Sequence, residues 1–229
     1  MKAMILAAGR GERMRPLTDS LPKPLLEVGG KPLIVYHIER LVAAGVKELV
    51  INTAWLGDKL EAALGDGSQW GVSIRYSREG EALETAGGIR NALPLLGDEP
   101  FLLVNGDIWT DYAFDSLVQR GLAEGEQAYL VLVGNPDHNP GGDFGLSGGV
   151  LVEKSNSQPG ITFSGVSVIR PGFIADYPFP AEKMPLVLPL KDGIKRGVVS
   201  GEYYSGFWLD VGTPERLFQL NETVGKLNS

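Results

Sequence analysis

Apolar residues fall along the chain in short blocks separated by glycine, proline and polar runs, and the blocks follow two different periods. Residues 3–7 form a continuous apolar run of strand length. Residues 32–44 instead place Leu33, Ile34, Tyr36, Ile38, Leu41 and Val42 on one helical face, which Gly45 ends. Residues 48–53, with Leu49-Val50-Ile51, read as a buried strand, 58–64 as a short helix closing at Gly65, and 72–77 as an alternating strand. A helix over 85–96 (Ile89, Ala92, Leu93, Leu96), an apolar strand over 101–104, a helix over 114–123 and a strand over 129–133 follow. Short apolar strands alternating with helices predict a mainly parallel sheet covered on both faces by helices, an α/β fold.

Beyond residue 135 the texture changes. Residues 143–152 pattern as a hairpin, 161–169 as a strand, and 201–211 as strand, turn and strand. Residues 186–195 predict a helix interrupted by Pro189 and Gly193. The last helix starts at a well-formed cap: Thr213 at the N-cap, Pro214 at the first helical position and Glu215 adding first-turn charge, with Leu217, Leu220 and Val224 as its apolar stripe. Residues 225–229 read as a fraying end. No repeat, linker or low-complexity tract divides the chain, which predicts one domain over 1–229, with a core over 1–134 and an α+β extension over 135–229 on the same sheet.

The stretch between the first strand and the first helix fits neither period. About sixteen residues run on from Ala7 without helical or strand pattern, where a βα loop normally has ~2–6. Through Lys23 the chain has five basic residues (Lys2, Arg10, Arg13, Arg15, Lys23) against two acidic ones (Glu12, Asp19), a local charge of +3 in a chain of net −7. Gly9 and Gly11 let backbone N–H groups approach a phosphate, and the cations neutralise it, so the stretch reads as a polyphosphate cradle. Two better-known cradles are excluded. A dinucleotide fingerprint needs a third glycine where Met14 stands, and a Walker A loop needs Ser or Thr where Pro24 follows Lys23.

Composition narrows the chemistry further. The chain has 229 residues, 43% of them hydrophobic, and a pI near 5.0, which argues against a general nucleic-acid binder. No run approaches the ~18–20 apolar residues of a membrane span, and the opening apolar run is too short for a signal peptide. With no cysteine there is no thiolate site and no cysteine nucleophile, and a cytoplasmic enzyme fits best. The two histidines, His37 within a helical pattern and His138 within a loop, read as structural, leaving lysine, arginine and carboxylates to do the chemistry.

Three later segments are candidates. Asn105-Gly106-Asp107 follows an apolar strand directly, where open α/β sheets gather ligands, although the same triplet is ordinary turn chemistry. Asp210 lies between a strand and the last helix; with Asp107 and phosphate oxygens it would make a Mg²⁺ site only if the fold joins the two. Glu84-Thr85-Ala86-Gly87-Gly88 opens a helix with glycines that admit a flat base or an anion, or simply form a flexible entry.

Leu6-Ala7-Ala8-Gly9-x-Gly11-x-Arg13-Met14-x-Pro16-Leu17-Thr18 with Pro22-Lys23-Pro24-Leu25 resembles the signature of the sugar-1-phosphate nucleotidylyltransferases. Asn105-Gly106-Asp107, Asp143-Phe144-Gly145, the Thr162 to Gly165 segment and Trp208 to Thr213 follow in the family's order, so the resemblance spans nearly the whole chain. It implies a Rossmann-like, mainly parallel mixed sheet and the transfer of a nucleoside monophosphate from an NTP to a sugar 1-phosphate, with Mg²⁺ as cofactor. The shortness of the chain and the segments around Glu84, Asp107 and Asp210 most resemble the branch that uses UTP and N-acetylmuramate 1-phosphate in cell-wall recycling. Guanylyl transfer to mannose 1-phosphate, thymidylyl transfer to glucose 1-phosphate and a non-catalytic nucleotide-sugar-binding subunit remain as alternatives. The partners implied are these small molecules, with no nucleic acid or membrane, in a monomer or small homo-oligomer.

Residue by residue, the resemblance puts Gly9, Gly11, Glu12 and Arg13 around the triphosphate and Lys23 on the reacting phosphates. Ala7, Ala8, Thr85, Gly87, Gly88 and Asn105 fall on the nucleotide, Asp143, Gly145 and Ser164 on the sugar, and Asp107 and Asp210 on the metal. Arg13, Lys23 and Asp107 are the expected catalytic residues. The family's Glu-Lys-Pro, which holds the sugar and its phosphate, has Glu153-Lys154-Ser155 as its nearest counterpart, only eight residues after Gly145. That pair reads equally as a hairpin end.

Overall fold

The computed structural model describes residues 1–155 and 159–227. The chain opens with β1 (Ala3–Leu6), reaches a small hairpin of β2 (Glu27–Val28) and β3 (Lys31–Pro32), and enters α1 (Leu33–Ala43). Then come β4 (Glu48–Thr53), α2 (Gly57–Leu64), β5 (Ser73–Arg78), α3 (Glu84–Leu96) and β6 (Phe101–Asn105), followed by β7 (Ile108–Thr110), α4 (Phe114–Arg120) and β8 (Ala128–Val133). The second half adds β9 (Gly145–Ser147), β10 (Val150–Val152), β11 (Thr162–Ile169), α5 (Pro171–Ala175) and α6 (Val187–Lys195). It ends with β12 (Val199–Tyr204), β13 (Trp208–Asp210) and α7 (Pro214–Leu227).

Nine strands make one mixed sheet in the order β5-β4-β1-β6-β11-β8-β12-β10-β9. β5, β4, β1 and β6 are mutually parallel, as are β8 and β12, while β11 runs antiparallel between β6 and β8. The extension therefore threads a strand into the middle of the first half's sheet. At the far edge β9 and β10 form the expected hairpin around Gly148 and Gly149, both at positive φ.

The period-2 alternation of the strands sorts their side chains onto two cores. Ala3, Ile5, Leu49, Ile51, Leu102 and Val104 meet α1, α2 and α4 on one face. Met4, Val50, Phe101, Leu103, Leu130 and Leu132 meet α3, α5 and α6 on the other. Because both faces are covered, β1, β8 and the first four residues of β6 are apolar throughout. A third, smaller core joins Met14 of the opening loop to Val28, Trp109, Val211, Leu220 and Val224, so α7 packs back on the start of the chain.

Three local expectations are corrected, and a fourth is refined. The opening loop is not patternless: it makes three short 3-10 turns, over Glu12–Met14, Leu17–Asp19 and Lys23–Leu25. α6 is unbroken, because Pro189 falls in the first turn, where no helical N–H bond is required, and Gly193 is a packing glycine whose Cβ would strike Phe173 and Val199. The strand, turn and strand expected over 201–211 are present as β12 and β13, in different sheets: β12 lies beside β8, whereas β13 pairs with β7, a strand the apolar pattern missed. α7 remains helical to Leu227, and residues 228–229 of the expected fraying end lie outside the described residues.

Candidate active site

The carboxyl ends of β1, β4, β5 and β6 open into a cleft of about 350 Å³. Ala7, Ala8, Gly9, Gly11, Glu12, Arg13, Lys23, Thr85, Asn105 and Asp107 line it, together with Asn52, Glu79, Glu84 and Gly212. Residues from six separate chain segments converge there, as expected at the strand ends of an open α/β sheet.

The opening loop is folded by its own polar groups. Thr18 Oγ1 donates to the Gly11 carbonyl at 2.9 Å, and Met14 N–H to the same oxygen at 2.9 Å. Gly11 sits at φ +68°, and a Cβ there would come within 3.0 Å of Thr18 and 3.3 Å of Lys23, so the close return of the loop requires glycine. Of the three arginines behind the cradle reading, two are spent on the loop itself: Arg10 Nη2 and Arg15 Nε both bond Asp19 Oδ1, at 2.9 and 2.8 Å. These cations hold the exposed Asp19 carboxyl below its ordinary range. Arg13 is the arginine that faces the cleft.

Lys23 is almost fully buried at 8% exposure, and its ammonium meets Asp107 Oδ2 at 2.6 Å. Asp107 follows β6 and precedes β7, and β7 pairs antiparallel with β13, placing Asp210 opposite Ile108. The Val211 N–H donates to the Asp107 carbonyl at 2.7 Å. The fold thus joins the two segments that carry the expected metal carboxylates. Asp210 is held by Arg216, whose Nη1 lies 2.6 and 2.7 Å from its two oxygens, and by His138 Nε2 at 3.1 Å. Among the described residues no third His, Cys, Asp or Glu completes a metal-binding cluster with them.

Sequence reasoning missed the pair that shapes the opposite wall. Asn52, at the end of β4, accepts from Ala7 N–H at 2.7 Å and donates to Glu79 Oε1 at 2.7 Å, and Glu79 Oε2 accepts from Leu83 N–H at 2.8 Å. One buried amide thereby fixes both the cradle's first residue and the loop before α3. A polar residue closing the run Leu49-Val50-Ile51 was the available signal.

Gly88 lies behind this pair: a Cβ there would come within 2.7 Å of Glu79 Oε1 and 2.8 Å of Asn52 Nδ2. Gly87 packs on Glu182, and its N–H points at the Met184 carbonyl. Both glycines let α3 approach its neighbours closely. Asn105 presses on Gly165, a bulge position at φ +84° where β11 changes register, and its Oδ1 has no hydrogen-bond partner.

None of the residues expected on the sugar is among those lining the cleft. Asp143 Oδ2 accepts from Phe163 N–H at 2.8 Å and its Oδ1 from Asn139 at 3.2 Å, tying the 135–143 loop to β11. Ser164 accepts from Val166 N–H through its hydroxyl, and its carbonyl takes the Trp208 indole N–H at 2.8 Å. Gly145 packs on Val152 across the hairpin. Lys154 folds onto the Gly142 carbonyl at 3.0 Å, and Glu153 faces Lys195 at 3.7 Å. His37 is buried outside the cleft on Ile108, with its pKa pushed down to about 4 by burial, so it is neutral near pH 7.

The nucleotidyl transferase family profile matches residues 2–148. The chain is 53% identical to the N-acetylmuramate alpha-1-phosphate uridylyltransferase of Neisseria meningitidis over 98% of this chain and 99% of that one. It is 36% identical to the enzyme of the same name from Caulobacter vibrioides, over 93% and 92%. It is 34% identical to the mannose-1-phosphate guanyltransferase of Aspergillus oryzae, over 94% of this chain and 62% of the fungal one. In fold it matches a Bacillus anthracis protein assigned as a glucose-1-phosphate thymidylyltransferase with a TM-score of 0.88 at 23% identity, over 97% and 94% of the chains. The chain belongs to the nucleotidyl transferase family, among its sugar-1-phosphate enzymes.

Proposed function

We propose that the protein transfers the uridylyl group of UTP to N-acetylmuramate 1-phosphate, releasing pyrophosphate and the UDP-sugar, in the cytoplasm and as a step in recycling bacterial cell-wall sugar. One observation carries the choice of substrates: the likeness at 53% identity, over nearly the whole length, to the meningococcal enzyme named for them. The guanyltransferase relative stands at 34%.

The reaction suits these residues. A non-bridging oxygen of the sugar phosphate forms the new bond to the α-phosphorus of UTP while the bond from that phosphorus to the pyrophosphate oxygen breaks. The nucleophile is already ionised at neutral pH, so no protein base is needed, in keeping with a buried neutral His37. What remains is alignment and the offsetting of concentrated negative charge. Gly9, Gly11 and Arg13 would wrap the triphosphate from the cradle, and Lys23, whose stem is fixed beneath Gly11, would hold the reacting phosphate. Asn52 and Glu79 would support the nucleoside wall.

The donor set beside Lys23 fits a hard divalent cation. Asp107 and Asp210 offer carboxylates from adjoining strand ends, and phosphate oxygens and water would complete the shell, as Mg²⁺ prefers. When bound, the ion would neutralise phosphate charge and orient the α-phosphate.

Pyrophosphate release measured with UTP, dTTP, GTP and CTP against N-acetylmuramate, N-acetylglucosamine, mannose and glucose 1-phosphates tests the reading. The UTP and N-acetylmuramate 1-phosphate pair is expected to be fastest. Release with GTP and mannose 1-phosphate alone would overturn it, and no release with any pair would point to a binding subunit.

A further inference from the structure

Both carboxylates assigned to the divalent ion already hold a protein cation. Lys23 holds Asp107 at 2.6 Å, and Arg216 grips Asp210 through Nη1 at 2.6 and 2.7 Å. Lys23 is accounted for in the reaction; Arg216 is not. Its side chain is 13% exposed, as deep as a charged group is ordinarily found only when paired.

Three features place this guanidinium beside the cleft. Arg216 lies in the first turn of α7, where its N–H points at Thr213 Oγ1 at 3.4 Å, so its backbone is fixed. Gly212, in the cleft wall, lies against the guanidinium. A Cβ on Gly212 would fall on the Arg216 guanidinium and within 2.9 Å of Asp210 Oδ2. Gly212 is not at a left-handed backbone angle, so what a side chain there would disturb is the ion pair, which would have to shift. On the other side His138 closes the pair, 3.0 Å from Nη1, and its loop is anchored by Asn135, Asn139 and Asp143.

The sugar phosphate brings about two negative charges to this side. Lys154, the expected counterion, is folded onto the Gly142 carbonyl. A guanidinium is the group best shaped to take phosphate oxygens bidentately. Once the Asp210 carboxylate is committed to a divalent ion, a guanidinium this buried must find another anion.

We propose that Arg216 is a substrate-binding residue that rests on Asp210 in the free enzyme and passes to the phosphate of the sugar 1-phosphate when the carboxylate takes a divalent ion. The proposal rests on the sugar-1-phosphate reading above. It makes the free enzyme's metal site self-blocked, so that ion and sugar phosphate favour each other's binding.

The test has two arms. In the first, Mn²⁺ alone is titrated calorimetrically into wild-type enzyme, R216A, R216K and D210N without any substrate. R216A is expected to bind Mn²⁺ roughly tenfold more tightly than wild type, R216K to return towards wild type, and D210N to bind more weakly. Equal or weaker binding by R216A overturns the exchange. Should R216A not fold, R216Q, which keeps an amide donor for Asp210 without the charge, carries the same comparison. A purely structural Arg216 would lower the melting temperature without tightening Mn²⁺ binding.

In the second arm, R216A is expected to raise KM for the sugar 1-phosphate roughly tenfold to a hundredfold, the range for losing hydrogen bonds to a charged group, and to leave KM for UTP within about threefold. An equal rise in both, or none, overturns the phosphate as destination. The metal arm needs no turnover, so absence of wild-type activity would fail the functional reading while the Mn²⁺ affinities still decide the exchange.

Discussion

The Lys23 ammonium meets the Asp107 carboxylate at 2.6 Å across 84 residues of sequence, and it does so with the lysine buried and the aspartate 40% exposed on its side chain. The asymmetry has a consequence. The lysine is fixed by its surroundings, whereas the carboxylate is free to turn to another ligand. Lys23→Ala is expected to lower kcat by ~10²–10³, the scale for removing one charge-stabilising donor, with little change in melting temperature because Asp107 stays solvated. Asp107→Asn is expected to abolish turnover supported by Mg²⁺. Steady-state rates alongside thermal melts check both, and near-wild-type kcat in either variant removes that residue from the mechanism.

Asn52 is the next most exacting position. Its amide satisfies the Ala7 N–H and a buried Glu79 oxygen at once. Asn52→Ala leaves both without partners and should cost about 2 kcal/mol or more in urea unfolding, at ~1–3 kcal/mol for each unsatisfied group. KM for UTP should rise as the wall loosens. Asn52→Asp should do worse, since it sets a second carboxylate against Glu79. A variant that unfolds at the wild-type urea midpoint would show that the pair has no such role.

Gly165 tests whether the bulge in β11 serves the cleft. At φ +84°, with a Cβ position 2.7 Å from the Asn105 side chain, alanine is strained and displaces Asn105. Gly165→Ala is expected to lose about 1–3 kcal/mol of stability, the usual scale for a left-handed non-glycine residue. Turnover should fall beyond what the stability loss explains at 25 °C. Unchanged kcat in folded G165A would separate the bulge from the site.

His37 carries a pH dependence whose sign is fixed. The folded pKa of about 4 lies below the ordinary 6.5, so between these values the unfolded chain binds the extra proton and the folded one does not. Its contribution is complete above about pH 6.5 and is lost as pH falls towards 4, about 3 kcal/mol in all. The gap in unfolding free energy between wild type and His37→Leu should therefore narrow as pH falls from 7 to 4.5. Parallel curves would assign the acid sensitivity to other groups.

Much of the architecture was legible because it depends on local periodicity. The 3.6-residue stripe of α1, the apolar runs of β1, β4, β6 and β8, and the Thr213-Pro214 cap of α7 each carry their own signal. The basic opening loop was legible too, since it is longer than a βα connection needs and its charge runs against that of the chain. Which of its cations are free was not legible: Arg10 and Arg15 are paired with Asp19 and Glu12, an arrangement that depends on how the loop folds.

The chain alone therefore determined the alternating elements, the cradle and the residue types available for chemistry, because these follow from neighbours a few positions apart. Only the tertiary structure decided which of them meet. Pairing of β7 with β13 brings the segments of Asp107 and Asp210 side by side, the Asn52 amide bridges Ala7 and Glu79, and α7 lays Arg216 on Asp210. Each of these contacts joins segments tens of residues apart or depends on which side chain wins a shared partner. Such choices are settled by the packing of a whole sheet, and no local pattern records them.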